Sequence, residues 1–250
     1  MLDVEYPEWA ATQADNSVDN VEQVLIPTPS AGEYIITVSH KSTLLAGTQD
    51  FSMVITGASM PQVLVWEGDS AGVDYSGVFI RDTLQVVGDV DVTYTTTFPE
   101  SLSGFDAAFL SFGPSGGLVN RTTFNTMMAA VVQEYLEGGG SLYLEGGDAL
   151  AEDQAGNSAL FSLLGIESVY SGREHPIDTL VGQPTTVADG MLFASTTQQY
   201  TAYIDRYTPG IGAAAFVESN YGTVAVQNTG SYGQRTFVIS YALAGLVDGD

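Results

Sequence analysis

Six residues stand where a parallel α/β sheet would present chemistry. In the second part of the chain, short apolar runs end on polar side chains. Val63-Leu64-Val65-Trp66 leads into Glu67-Gly68-Asp69, the run Ala107 to Phe112 carries Ser111 and stops at Gly113, and Ser141 to Leu144 leads into Glu145-Gly146-Gly147-Asp148. Open α/β sheets collect ligands outside the carboxyl ends of their strands, so Glu67, Asp69, Ser111, Gly113, Glu145 and Asp148 are expected in one crevice. Calcium and magnesium take oxygen ligands, which makes Glu67, Asp69, Glu145 and Asp148 candidate cation ligands, without the ligand spacing of an EF-hand loop. Glu145 with Glu67 or Asp69 would also suit acid/base hydrolysis of a glycosidic bond. The plain alternative is that a chain with 30 acidic residues places carboxylates at loop tips without any function.

A second candidate is nucleophilic. Gly113-Pro114-Ser115-Gly116-Gly117 fits the G-x-S-x-G string of serine hydrolases, and His175, beside Arg173 and Glu174, is the base candidate in this part of the chain. A nucleophile elbow runs from strand to tight turn to immediate helix. Here Leu118 to Thr122 intervene, and a proline with three glycines also describes an ordinary loop. The other histidine, His40, lies in a strand-like stretch and is read as structural. Trp66 is read as core, and Tyr200, Tyr203 and Tyr207 as either a binding surface or surface packing. Asn120-Arg121-Thr122 matches a glycosylation sequon, read as accidental.

The elements that must position these groups follow from periodicity. Strands are predicted at 63–66, around Val90, Val92 and Tyr94, at 107–112 and at 141–144. Tyr75 to Val86 predicts a helix. Phe124, Met127, Met128, Val131, Val132, Tyr135 and Leu136 share one helical face that Gly138 to Gly140 terminate. A short helix is predicted at 159–164, and further strands at 213–217, 223–227 and 236–240. Strands alternating with helices predict a mostly parallel sheet covered on both faces. Before Ala58 the pattern differs. Tyr34, Ile36 and Val38 alternate with Ile35, Thr37 and Ser39, Phe51, Met53 and Ile55 repeat the pattern, and Pro27 to Gly32 is turn chemistry. About three strands without partners predict the C-terminal part of a β-sandwich at 1–58, joined through 58–61 to an α/β domain at 61–250.

Composition narrows the function classes. With 30 acidic and 6 basic residues the net charge is -24, which opposes nucleic acid and anionic membrane surfaces. Such a surface suits saline surroundings. The absence of cysteine removes thiol catalysis, disulfides and Cys-ligated zinc. No run is long and apolar enough to insert into a membrane, and Met1 to Glu5 does not open a signal peptide.

Two resemblances sharpen these expectations. Asp15 to Val24, followed by Pro27, Ala31-Gly32, Tyr34, Val38, His40-Lys41, Gln49, Phe51-Ser52 and Gly57, resembles the β-sandwich after the catalytic domain of secreted bacterial subtilisin-like serine proteases. That resemblance implies an extracellular or cell-surface location and a catalytic triad outside this sequence. The strings VLVWEGD, FDAAFLSFG and VVQEYLEGGGSLYLEGGD resemble the flavodoxin-like fold of class I glutamine amidotransferase-like domains. By that resemblance Glu145 stands where the family has its catalytic cysteine, and a carboxylate cannot supply a thiolate.

Together these readings predict an exported, non-catalytic accessory or interaction module. Its expected partners are a parent catalytic domain or neighbouring copies of the chain joined through open sheet edges, with no cofactor other than Ca2+. The alternative is a hydrolase of the α/β crevice using Ser115 or Glu145.

Overall fold

A computed structural model describes residues 24–26, 34–40, 43–44, 47–48, 50–56, 60–68, 76–113, 122–172, 179–195 and 203–248. The chain divides into two compact units, Met1–Ile55 and Thr56–Asp250.

In the first unit the expected sandwich is not shown. The described residues there, including 34–40 and 50–55, contain no strand. Ile36 is 54% exposed and Phe51 66% exposed, so the apolar side of neither alternating run is buried. Alternation marks a segment that could be half-buried in a sheet, but a strand also needs a partner for its backbone N–H and C=O groups.

The second unit is mixed α/β. Its strands are β1 (Gln62–Glu67), β2 (Asp91–Thr95), β3 (Ala107–Ser111), β4 (Ser141–Glu145), β5 (Ile166–Tyr170), β6 (Leu180–Gly182), β7 (Leu192–Ser195), β8 (Arg206–Pro209), β9 (Ala213–Glu218), β10 (Gly222–Thr229), β11 (Arg235–Ile239) and β12 (Leu246–Asp248). The helices are α1 (Ser76–Val87), α2 (Thr126–Glu137) and α3 (Ser158–Leu164), with a 3-10 turn at Leu243–Gly245. Ten strands form one sheet in the order β12-β7-β6-β9-β10-β11-β4-β3-β1-β2, and β5 pairs with β8 separately.

Half of this sheet is parallel. β2, β1, β3, β4 and β11 run in one direction, and the order reverses between β1 and β3. From β11 outward every pairing is antiparallel. The expected mostly parallel sheet is therefore a mixed one. Helices flank it on both faces. Val63 and Val65 point with Ala107 and Phe109 toward Ile80 of α1. Leu64, Trp66, Ala108, Leu110, Leu142 and Leu144 point the other way, toward Val132 and Leu136 of α2 and Leu160 and Leu164 of α3.

The helix ends have local causes. The Asn125 side chain accepts from Met127 N and Met128 N at 3.0 Å each, which satisfies donors that α2 cannot pair internally. Asn157 caps α3 in the same way through Leu160 N at 3.2 Å. Of the expected apolar face, Phe124, Val132, Tyr135 and Leu136 are buried and Met128 and Val131 pack against the core, while Met127 is exposed and Ala129 is buried in addition. Gly165 ends α3 with φ 75°, a left-handed conformation that favours glycine.

Candidate functional site

The pairing register builds the site. Glu67 pairs with Ser111 across β1 and β3, Ser111 with Glu145 across β3 and β4, and Glu145 with Ile239 across β4 and β11. The last residues of three parallel strands thus form one row. Each lies two positions beyond an apolar residue that faces α1 (Val65, Phe109 and Tyr143), so the row belongs to that face of the sheet. All three residues are buried.

Glu145 is fully buried, and its carboxyl is occupied by the protein itself. Ser111 Oγ donates to Oε1 at 2.6 Å, while Tyr143 OH and Leu243 N donate to Oε2 at 2.8 and 2.9 Å. The Ser76 hydroxyl, at the start of α1, also donates to this carboxyl and accepts from Ala244 N at 2.9 Å. Burial pushes the Glu145 carboxyl above the usual carboxylate range, and the donors from Ser111, Ser76, Leu243 and Tyr143 pull it part of the way back.

Glu67 occupies the other end of the row. Gly77 N, at the start of α1, donates to its Oε2 at 2.6 Å. A helix N-terminus at the point where strand order reverses is a ready anion site in doubly wound sheets. Here the chain's own carboxylate fills it. Glycine at 77 is required by this approach, because a Cβ there would lie 2.6 Å from Glu67 Oε2. Tyr94 senses the same charge, its hydroxyl raised first by burial and then by Glu67.

Asp148 takes a different place from Glu145. It sits in the bend after β4 with φ 60°, is buried, and its carbonyl accepts from Glu152 N and Asp153 N at 3.2 and 3.1 Å. Gly113 is at the bend after β3 with φ 74°. Asp69, Ser115, His175, Tyr200 and the sequon at 120–122 fall on positions outside the described residues or, for Thr122, at their margin; Thr122 Oγ1 donates to Gly68 O at 2.6 Å. Among the described residues no group of three or more His, Cys, Asp or Glu is arranged to hold a metal ion. A cavity of about 610 Å3 lies elsewhere, at the amino ends of β3 and β4, where Asp106, Tyr135, Gly139, Ser141 and Arg235 line it. There the Tyr135 hydroxyl donates toward Phe105 O and Ser141 O at 3.1 Å, and burial pushes it up to about 12.

Sequence reasoning missed the donors of the row. Tyr143 was in principle findable, since it lies two residues before Glu145 on the same strand face. Ser76, Leu243 and Ala244 come from distant segments and carry no local signal. A second buried polar group was also missed. Asp205 accepts from Ala151 N at 3.1 Å, and Ser240 Oγ donates to Asp205 O at 2.7 Å. Tyr207, one of the tyrosines read as a surface, is buried beside them, and burial followed by the Asp205 charge raises its hydroxyl well above the ordinary tyrosine range. Tyr203 is exposed.

No family model matches this chain, and no curated protein sequence matches it. Solved structures with a similar fold include an exo-β-1,4-mannosidase from Opitutaceae bacterium strain TAV5, at 10% identity and TM-score 0.47, covering 73% of this chain and 31% of that one. A cold-adapted β-galactosidase from Rahnella sp. R3 is similar at 11% identity and TM-score 0.47, covering 74% and 29%. A ThuA-like protein from Bacteroides uniformis ATCC 8492 is similar at 10% identity and TM-score 0.49, covering 77% and 86%. The chain thus spans less than a third of either glycosidase. These findings correct both expected kinships. The solved structures named above are two glycosidases and a ThuA-like protein, not subtilisin C-terminal regions or glutamine amidotransferase domains. Strings such as a glycine pair between helix and strand report turn chemistry that many folds share.

Proposed function

We propose that the Thr56–Asp250 unit is a non-catalytic interaction module whose crevice carboxylates are internal anchors. The observation that carries this reading is the saturation of Glu145: a fully buried carboxyl already holding the Ser111, Tyr143 and Ser76 hydroxyls and the Leu243 amide has its four acceptor positions taken. Glu67 adds to it, because the helix terminus that would otherwise take an anion is closed by its side chain. In the finer description the parallel half is flavodoxin-like, with strand order 2-1-3-4 followed by β11, and its ligand crevice is filled from within. The sheet ends on β2 and β12, and end strands are the elements through which a module of this kind adds a partner's strand or a second copy.

The test is direct. The purified chain, Glu145→Gln and Ser115→Ala are assayed on peptide, ester and glycoside panels, and the assembly state is measured by size-exclusion chromatography with light scattering. The reading expects no turnover in any panel. Turnover by the wild type that either substitution abolishes overturns it in favour of a crevice hydrolase.

A further inference from the structure

The last described segment of the sheet is attached in an unusual way. β12 is three residues long and closes one edge of the sheet by pairing antiparallel with β7, Leu246 opposite Ser195 and Val247 opposite Ala194. It reaches that edge through the 3-10 turn Leu243–Gly245, which has no side-chain cap of its own. Two adjacent amides of this turn are held by the crevice instead: Leu243 N by Glu145 Oε2 and Ala244 N by Ser76 Oγ, both at 2.9 Å. Ser76 in turn donates to Glu145, so both attachments converge on one carboxyl.

We propose that Glu145 is a proton-linked latch for the C-terminal strap formed by the 3-10 turn and β12. The strap is docked while the carboxyl is neutral and opens more often once it is charged.

The chemistry of the shell supports both states. Three of the donors are hydroxyls, on Ser111, Ser76 and Tyr143, and a hydroxyl can turn from donor to acceptor to receive the carboxyl proton. The Leu243 amide cannot turn, and it keeps an unprotonated oxygen in either state. Ionisation therefore does not break the hydrogen bonds. It places a charge in a fully buried position with no cation against it among the described residues. The titratable groups facing the carboxyl among the described residues are Tyr143 on its own strand and, two strands along the row, Glu67, which is acidic and offers no relief. Lifting the strap is the local route by which water can reach the charge, because the strap is the one attachment made through a short turn rather than through a sheet strand or a full helix. Burial raises the folded-state pKa, so opening releases a proton and is favoured as pH rises, by up to about tenfold per pH unit between the open-state and folded-state values, and levels off above the folded one. Opening would remove β12 from β7 and uncover that edge for another strand.

This proposal rests on Glu145 being an anchor, and it deepens that reading. Hydrogen exchange of the full chain is followed by mass spectrometry from pH 5.5 to 8.5, with rates corrected for intrinsic base catalysis. In the wild type the opening constant of peptides covering 243–248 is expected to rise with pH, and in Glu145→Gln to stay flat. Ser111→Ala, which removes one donor to the ionised form, is expected to extend the rise so that it levels off at higher pH, and serves if Glu145→Gln does not fold. Ser76→Ala is expected to raise opening at every pH with the slope retained. An identical pH slope in the wild type and Glu145→Gln overturns the latch, as does an unmoved profile in Ser111→Ala. Neither result bears on catalysis, whereas turnover in the substrate panels would overturn the non-catalytic reading and leave these slopes intact.

Discussion

Replacing Glu67 separates a structural carboxylate from a functional one. Its Oε2 accepts from Gly77 N at 2.6 Å, at the first turn of α1, and the side chain is 4% exposed. Amides of a first helical turn have no partner inside the helix, so removing the carboxylate leaves one of them buried beside a strand end. A hydrogen bond to a charged group contributes about 1.5–3 kcal/mol. The interaction of a carboxylate with a partly buried helix N-terminus contributes up to about 2 kcal/mol, and much of that is the same hydrogen bond counted again. The substitution Glu67→Ala should therefore destabilise by about 3 kcal/mol, or about 6–12 °C in Tm for a unit of this size. Glu67→Gln keeps a carbonyl acceptor for Gly77 and loses the charge, so about 1 kcal/mol is expected. Urea unfolding followed by tryptophan fluorescence reports the site closely, since Trp66 is the neighbouring residue and is 1% exposed. The expected order of stability is wild type, Gln, Ala. If Glu67→Ala melts at or above the wild type, the reasoning fails, because a gain in stability on truncation is the signature of a side chain kept for function at a cost to the fold.

Two other outcomes follow from the same structure. A carboxyl whose folded-state pKa is raised contributes stability that is complete below its unfolded pKa and is lost as pH rises through the folded value. Thermal midpoints should therefore fall from pH 6 to 8.5 in the wild type and less in Glu145→Gln; equal slopes would refute the assignment to Glu145. Gly165→Ala places a Cβ 2.6 Å from Asn228 Cγ at a φ of 75°, and it should cost about 2 kcal/mol or more in urea unfolding.

The parallel half of the fold was legible because each of its elements obeys a local rule. Val63 to Trp66 and Ser141 to Leu144 are short apolar runs between turn residues, and α2 carries a helical repeat closed by glycines. The boundaries of β1, β3, β4, α2 and α3 lie close to the predicted ones for that reason. The antiparallel half was only partly legible. β6, β7 and β12 are three or four residues long, too short for any period to register, and their existence depends on pairing with β9 and with each other. β5 carries a register shift between Ile166 and Ser168, which lets both Ile166 and Val169 face the core and destroys the strict alternation by which the strand would have been recognised. The first unit failed in the opposite direction. Residues 34–39 have the alternation of a strand, yet the described residues there form none, because alternation records a capacity for half-burial and not a hydrogen-bonded neighbour strand.

The site shows the same division between what is local and what is not. The identity of the row was legible: Glu67, Ser111 and Glu145 end three strands that the sequence marks plainly, and parallel register alone sets them side by side. Its meaning was not. Carboxylates at strand ends become catalytic, cation-binding or structural according to what stands opposite them, and here the opposing groups come from the first turn of α1 and from a turn 98 residues beyond Glu145. A fully buried carboxyl must find donors or surrender its charge. Ser111, Tyr143, Ser76 and the Leu243 amide supply those donors, and in doing so they occupy the lone pairs that a metal ion or a substrate proton would need. Acidity in this chain thus has two separate consequences. Over the surface it repels anions at long range, and at the crevice its carboxylates accept from the chain's own hydroxyls and amides. The second effect is independent of net charge, so high salt should weaken the first and leave the hydrogen bonds around Glu145 in place.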